Sequence, residues 1–175
     1  MTLIDEKRLF YNDLLYFLTF YSLNTNVFLF HVKRYFSILL VYTYIYMAEH
    51  NEIGKNGEKI AFSFLVKHGF SILGTNYVTK YGEIDIIAKK DYKIRFVEVK
   101  TVKIRDFNEL DTLKVKPEDN FTREKYNKVR ISSETYLTHK NISRETLWQI
   151  DLACVYIQTE TREGKVIYFE NVSVN

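Results

Sequence analysis

The sequence holds one cysteine and one proline in 175 residues, and no glycine precedes position 54. A lone cysteine excludes an intramolecular disulfide framework and a multi-cysteine zinc site. Cys154 sits inside the apolar run 150–157 and reads as a buried small hydrophobe, which fits a reducing, cytoplasmic setting. The net charge of +3 is too weak to imply a polyanion partner, so any basic surface has to be local. Internal repeats and low-complexity tracts are absent. The four histidines, at 31, 50, 68 and 139, have no ligand or triad spacing and receive no role.

Two kinds of sequence are joined. All six glycines and Pro117 fall after residue 50, whereas 13 of the 28 aromatic residues fall in the first 47. A membrane span needs about 20 largely uncharged apolar residues. The run 35–47 has only 13, and Lys33-Arg34 interrupts the longer stretch. A signal peptide fits poorly, because no small-residue cleavage site follows and the charged part is too long. Three readings of residues 1–47 stay open: a spurious read-through extension ahead of Met47-Ala48-Glu49, a membrane anchor, or a packed helical appendage. The expected division is an aromatic-rich extension over 1–47 and a globular domain over 48–175, with membrane association not expected for the domain.

From residue 48 the pattern becomes globular. Asn56 is expected to cap a helix with Glu58 in its first turn. Ile60, Ala61, Phe64 and Leu65 form its apolar face, and Lys67-His68-Gly69 its end. Residues 70–78 are extended with a kink at Gly74. Residues 83–88 and 94–100 read as alternating strands joined across a polar turn. Residues 101–120 form a long mixed-charge loop. Residues 121–139 form a helix with Tyr126, Val129, Ser133, Tyr136 and Leu137 on one side. Residues 149–157 are a buried strand, with Trp148 beside it as core packing, and 166–174 are an edge strand. The order α-β-β-β-α-β-β predicts an α/β fold, a mixed sheet flanked by helices.

Asp85 and the run Glu98-Val99-Lys100 are the strongest candidates for chemistry. Alternate strand residues share a face, so Glu98 and Lys100 point the same way. A two-residue turn at Asp91-Tyr92 would pair residues whose numbers sum to 183, setting Asp85 opposite Glu98 and Glu83 opposite Lys100. Asp-Tyr is not a preferred pair for such a turn. Facing carboxylates repel unless a cation lies between them. Mg²⁺, or Mn²⁺, suits Asp85 and Glu98 as ligands, since it accepts one or two carboxylates plus water and phosphate oxygens. Such an ion activates water and stabilises charge at phosphorus, and Lys100 can orient the water. Glu-x-Lys on the exposed face of a sheet is also an ordinary solvated pattern.

The order Gly54-x-x-Gly57-Glu58-x-x-Ala61, Asn76-Tyr77, Gly82-Glu83-Ile84-Asp85-Ile86-Ile87-Ala88 and Phe96-Val97-Glu98-Val99-Lys100-Thr101 resembles the YraN family of endonuclease-like proteins over residues 51–157. That family is similar to the PD-(D/E)xK nucleases and to archaeal Holliday-junction resolvases, so the resemblance implies a restriction-endonuclease-like fold. By motif it makes Asp85, Glu98 and Lys100 the nuclease core, with Glu58 as the helix glutamate and Asp151 as the aspartate of a later strand. After the lysine the family has Thr-Arg and a Phe-Gly pair in the loop. This chain has Thr101-Val102-Lys103 and no such pair, so its substrate contacts there differ.

Two functions follow as expectations. One is a Mg²⁺-dependent endonuclease acting on branched DNA in repair or recombination. The other is a nucleic-acid-binding or partner-binding module without turnover, and a homodimer is open in either case. Arg123, Lys125, Lys128 and Arg130 on the second helix, with Lys103, Arg105, Lys114 and Lys116 in the preceding loop, are candidate phosphate contacts. They read equally well as solvated charges.

Overall fold

A computed structural model describes residues 25–113 and 116–173. Lys114, Val174 and the first 24 residues lie outside the described residues, and the expected final strand 166–174 is shorter at its end, stopping at Phe169. The chain divides into two compact units between Glu49 and His50. In the first, the side chains of residues 36–45 are all exposed, Phe36, Tyr42 and Tyr44 among them. Among the described residues no helix is long and apolar enough to cross a membrane.

The first helix, α1, spans Thr25–Lys67. The expected start at Asn56 is therefore wrong, and Glu58 is not a first-turn acid. No proline precedes Asn56, and Ala48, Glu49, Glu52 and Lys55 are good helix formers, so nothing in the chain stops the helix there. The end falls where expected. Gly69 adopts φ +80°, its N–H donates to Val66 O at 3.1 Å, and Phe70 N donates to Leu65 O at 3.0 Å. That pair of bonds is a Schellman cap, which needs the left-handed conformation glycine tolerates.

Five strands follow in one sheet of order β1-β2-β3-β4-β5: β1 Ser71–Thr79, β2 Gly82–Lys90, β3 Lys93–Ile104, β4 Trp148–Gln158 and β5 Gly164–Phe169. Only the β3–β4 pair is parallel. The second helix, α2 (Arg123–His139), lies between β3 and β4 in the chain and supplies the crossover a parallel pair requires. Element order and class match the expected α/β arrangement. Residues 101–104, expected as loop, extend β3 and carry Lys103 on a strand, because β4 pairs with β3 as far as Ile104↔Gln158. The rest of that loop contains two 3-10 turns, Phe107–Thr112 and Pro117–Asn120. The kink at Gly74 is a register shift against β2.

The turn at Asp91-Tyr92 has two residues, as expected, and both have positive φ, 51° and 63°. Asp tolerates this conformation, whereas Tyr92 has no local hydrogen-bonding group to favour it and points 91% exposed into solvent.

The sheet is covered on both faces. One apolar cluster joins Ala61 and Leu65 of α1 to Ile86, Val97, Val99, Ala153 and Val155. The other joins Val129 and Tyr136 of α2 to Ile84, Ile87, Phe96, Leu152 and Tyr156. Trp148 belongs to the second cluster, edge-on to Phe96 at 5.7 Å, and Cys154 is fully buried there. Covering both faces makes β3 and β4 almost continuously buried, as expected for a parallel pair.

Candidate active site

The β2–β3 ladder keeps the register that sums to 183 from Lys90↔Lys93 to Ile86↔Val97 and stops there. Asp85 and Glu98 are thus one step beyond the last pair, and Glu83 pairs with Val78 of β1 and not with Lys100. The side chain of Asp85 fills the gap: Val99 N–H donates to its Oδ2 at 2.7 Å. Alternation along β2 also breaks at this residue, since Ile84 and Ile87 pack toward α2 while Ile86 packs toward α1. The two strands part at Asp85. On its other side β3 stays paired with β4 through Glu98↔Leu152 and Lys100↔Cys154, which holds the Glu98-Val99-Lys100 backbone rigid beside the opening.

Glu98 and Lys100 project to the α2 face. The Glu98 side chain is 2% exposed and lies between two ammonium groups, Lys100 Nζ at 3.0 Å from Oε1 and Lys125 Nζ at 3.0 Å from Oε2. The second contact is ionic only: Lys125 lies off the hydrogen-bonding direction, and buried Oε2 has no hydrogen-bond partner. A buried carboxylate oxygen left without a donor is costly, and such atoms call for an explanation.

Burial pushes the Asp85 carboxyl up to about 7, with the Glu98 charge adding to the rise and the Val99 amide and Lys125 opposing it. Glu58, half-buried on α1, is raised by burial and by the nearby charges of Glu83 and Glu98, with Lys55 opposing. The structure therefore brings Asp85, Glu98, Lys100 and Glu58 into one neighbourhood, with electrostatic coupling among the three acids. Two carboxyls of one neighbourhood, Asp85 and Glu58, both pushed up by burial and nearby acids, are a feature of functional sites.

Two helices set this geometry. Gly57 lies where α1 meets β3, and a Cβ there would sit 1.8 Å from Thr101 Oγ1. Only glycine permits that approach, which brings Glu58, one residue on, toward the site. On the other face, α2 is tied to the β1–β2 hairpin by the Thr79–Ser132 hydroxyl contact at 2.8 Å. Lys125 is seven residues before Ser132 and four before Val129, so it lies on the helix's buried stripe and points at the sheet. That spacing was legible in the sequence, yet a lysine among basic neighbours reads as a surface charge.

The other basic candidates behave differently. Arg123 and Lys103 are exposed, and Lys128 pairs with Glu124 at 2.7 Å on the helix surface. Asp151 does not join the site. It lies on the α1 face, where Tyr168 Oη and Gln149 Nε2 each donate to it at 2.6 Å and Asn171 N at 2.7 Å. Arg95 Nη1 also reaches it at 3.3 Å and continues to Glu170 at 2.8 Å. Its role is to fasten β5 and the segment after it to the middle of the sheet.

Residues 57–155 match the family described as Uncharacterised protein family UPF0102. The chain is similar to a UPF0102 protein of Dictyoglomus turgidum, 39% identical over 68% of this chain and 92% of the relative. It is also similar to one of Flavobacterium psychrophilum, 36% identical over 71% and 96%. A third, of Caldicellulosiruptor bescii, is 33% identical over 66% and 91%. The matched span runs from Gly57, at the helix crossing, through the parted strands to the middle of β4. The chain belongs to the UPF0102 family, the YraN family of endonuclease-like proteins.

Proposed function

We propose that this domain is a divalent-metal-dependent endonuclease that hydrolyses phosphodiester bonds in DNA, branched DNA in particular. The observation that carries the reading is the buried, hydrogen-bond-deficient Oε2 of Glu98 beside an Asp85 whose ionisation burial opposes. Both features would be relieved by a hard cation. The donors are carboxylate oxygens from two strands, the hard ligands that magnesium or manganese accepts, and among the described residues no third His, Cys, Asp or Glu completes a metal-holding group with them. An ion here would take its remaining ligands from water and phosphate, as magnesium does. When bound, it would supply charge stabilisation at phosphorus and a more acidic water.

The chain's own residues do the rest. Asp85 and Glu98 would hold the cation, and Asp85 is kept in place by the Val99 amide. Lys100, anchored on the same strand as Glu98, orients the attacking water and offsets charge that builds on the phosphate oxygens. Glu58, raised by burial and by the charges of Glu83 and Glu98, adds a third acid to the electrostatics of the site. Water adds across the P–O bond, leaving a phosphate monoester and a hydroxyl. Exposed Arg123, Lys128 and Lys103 would contact the backbone without reading sequence.

The deciding experiment is a Mg²⁺/Mn²⁺-dependent cleavage screen over duplex, single-stranded, flap and four-way-junction DNA. Cleavage should vanish with chelator and with Asp85→Asn or Glu98→Gln. Lys100→Ala should remove turnover while sparing metal and DNA binding. A wild-type protein that binds metal and DNA but cuts none of these is a binding module, and the nuclease reading fails.

A further inference from the structure

We infer that Lys125 is a tethered counter-ion of Glu98, occupying the face of the carboxylate that a divalent cation takes and giving it up when the cation arrives. The inference rests on the metal-dependent reading above and adds a residue to it.

Glu98 has two cationic neighbours, one on each oxygen. Lys100 is two residues along the same strand, and its backbone is fixed by β4, so it is part of the site's frame. Lys125 arrives from a separate element. Its position on the inward stripe of α2, with Val129, Ser132 and Tyr136 buried along the same helix, directs it at the sheet. It does not settle into a hydrogen bond: Nζ is 3.0 Å from Oε2, yet that oxygen has no hydrogen-bond donor. The contact satisfies charge and not geometry, which makes it exchangeable. A lysine with four methylenes can rotate its charge away without moving the helix. Lys125 side-chain exposure of 31% leaves it a solvated place to go.

An ordinary structural lysine would make every variant worse. A competing counter-ion makes one property better when removed, and that separates the two roles. The test is calorimetric titration of Mn²⁺ alone into the full chain stripped of metal. It uses wild type, Lys125→Met, Lys125→Gln, Lys125→Arg and Arg130→Met. Removing the competitor should tighten Mn²⁺ binding roughly tenfold, since the cation no longer has to displace a partly exposed ion pair. Lys125→Gln carries the result should the methionine variant lose its cooperative melt. Lys125→Arg keeps the competing charge and should not tighten binding. Arg130, paired with Glu134 on the helix surface at 2.6 Å, controls for the helix's general field, and Arg130→Met should leave affinity unchanged. Unchanged or weaker binding in the neutral variants, or equal tightening in Arg130→Met, overturns the inference while leaving the metal site intact. If no form binds Mn²⁺, the metal-dependent reading itself falls, and this inference with it.

Discussion

Asp85 accepts the amide proton of Val99 at 2.7 Å, taking through its side chain a donor that β2 would satisfy through its backbone in a continuous ladder. One carboxylate thus ends the pairing of two strands and fills the gap between them. Asp85→Ala should strand a buried amide and cost about 1–3 kcal/mol. Asp85→Asn retains an acceptor oxygen and removes a charge that repels Glu98, so it should match or exceed the metal-free wild type. Urea denaturation of the three proteins measures the difference, and equal losses in both variants would rule out this role for the carboxylate.

The raised Asp85 pKa gives a definite pH dependence in metal-free buffer. Because the folded protein holds a proton up to about 7, the unfolded chain has released it well before. The associated stability is complete below about pH 4 and is lost as pH rises through neutrality. The loss should be of the order of 2–4 kcal/mol, read from urea midpoints between pH 4 and 8. Asp85→Asn should flatten that slope. Mg²⁺ should restore stability most at the alkaline end, where Asp85 is ionised and free to bind it.

Gly57→Ala places a methyl into Thr101 Oγ1. Overpacking of this kind costs typically 1–3 kcal/mol. The displacement should also weaken Mn²⁺ affinity, since Thr101 directly follows Lys100. Thr101→Gly, which removes the obstructing atoms, should recover part of the melting temperature of the double variant. No recovery would mean that the two residues do not meet.

Asp151 anchors the opposite face, so its loss should be structural and nothing else. Breaking a buried charge network by removing one partner costs about 3–5 kcal/mol. Asp151→Ala should melt well below wild type yet, at a temperature where it is folded, bind Mn²⁺ with unchanged affinity. A selective loss of metal binding would place Asp151 in the site after all.

Cys154 has its thiol pushed up to about 12 by burial, with Glu118 adding to the rise. The thiolate is the reactive form. Iodoacetamide should leave the native protein unmodified at pH 8 and label it at one position in denaturant. Mass spectrometry of the intact chain distinguishes the two, and rapid native labelling would show that β4 opens readily.

Several patterns carried by neighbouring residues were legible in the chain. Gly69 after Lys67-His68 ends a helix because few other residues accept its φ. The 183 register follows from a two-residue turn and holds over five pairs. The lone cysteine in an apolar run is buried, and the order of elements matches the periodicity. The helix start was misread because Asn56 and Glu58 form a good capping sequence, while nothing nearby compels a helix to begin there.

What only the tertiary structure decided lies between residues far apart in the chain. The ladder stops one step short of Asp85 and Glu98 because a side chain competes for a backbone donor, and alternation alone cannot express that competition. Lys125 faces inward because α2 is docked by Val129, Tyr136 and the Thr79–Ser132 contact, and a lysine carries no mark of which way its helix will be turned. Asp151 and Glu98 occupy opposite faces of adjacent strands, although both are acids in apolar surroundings. Their separation is one of parity between β3 and β4, and it exists only once the parallel register Val97↔Asp151 is set.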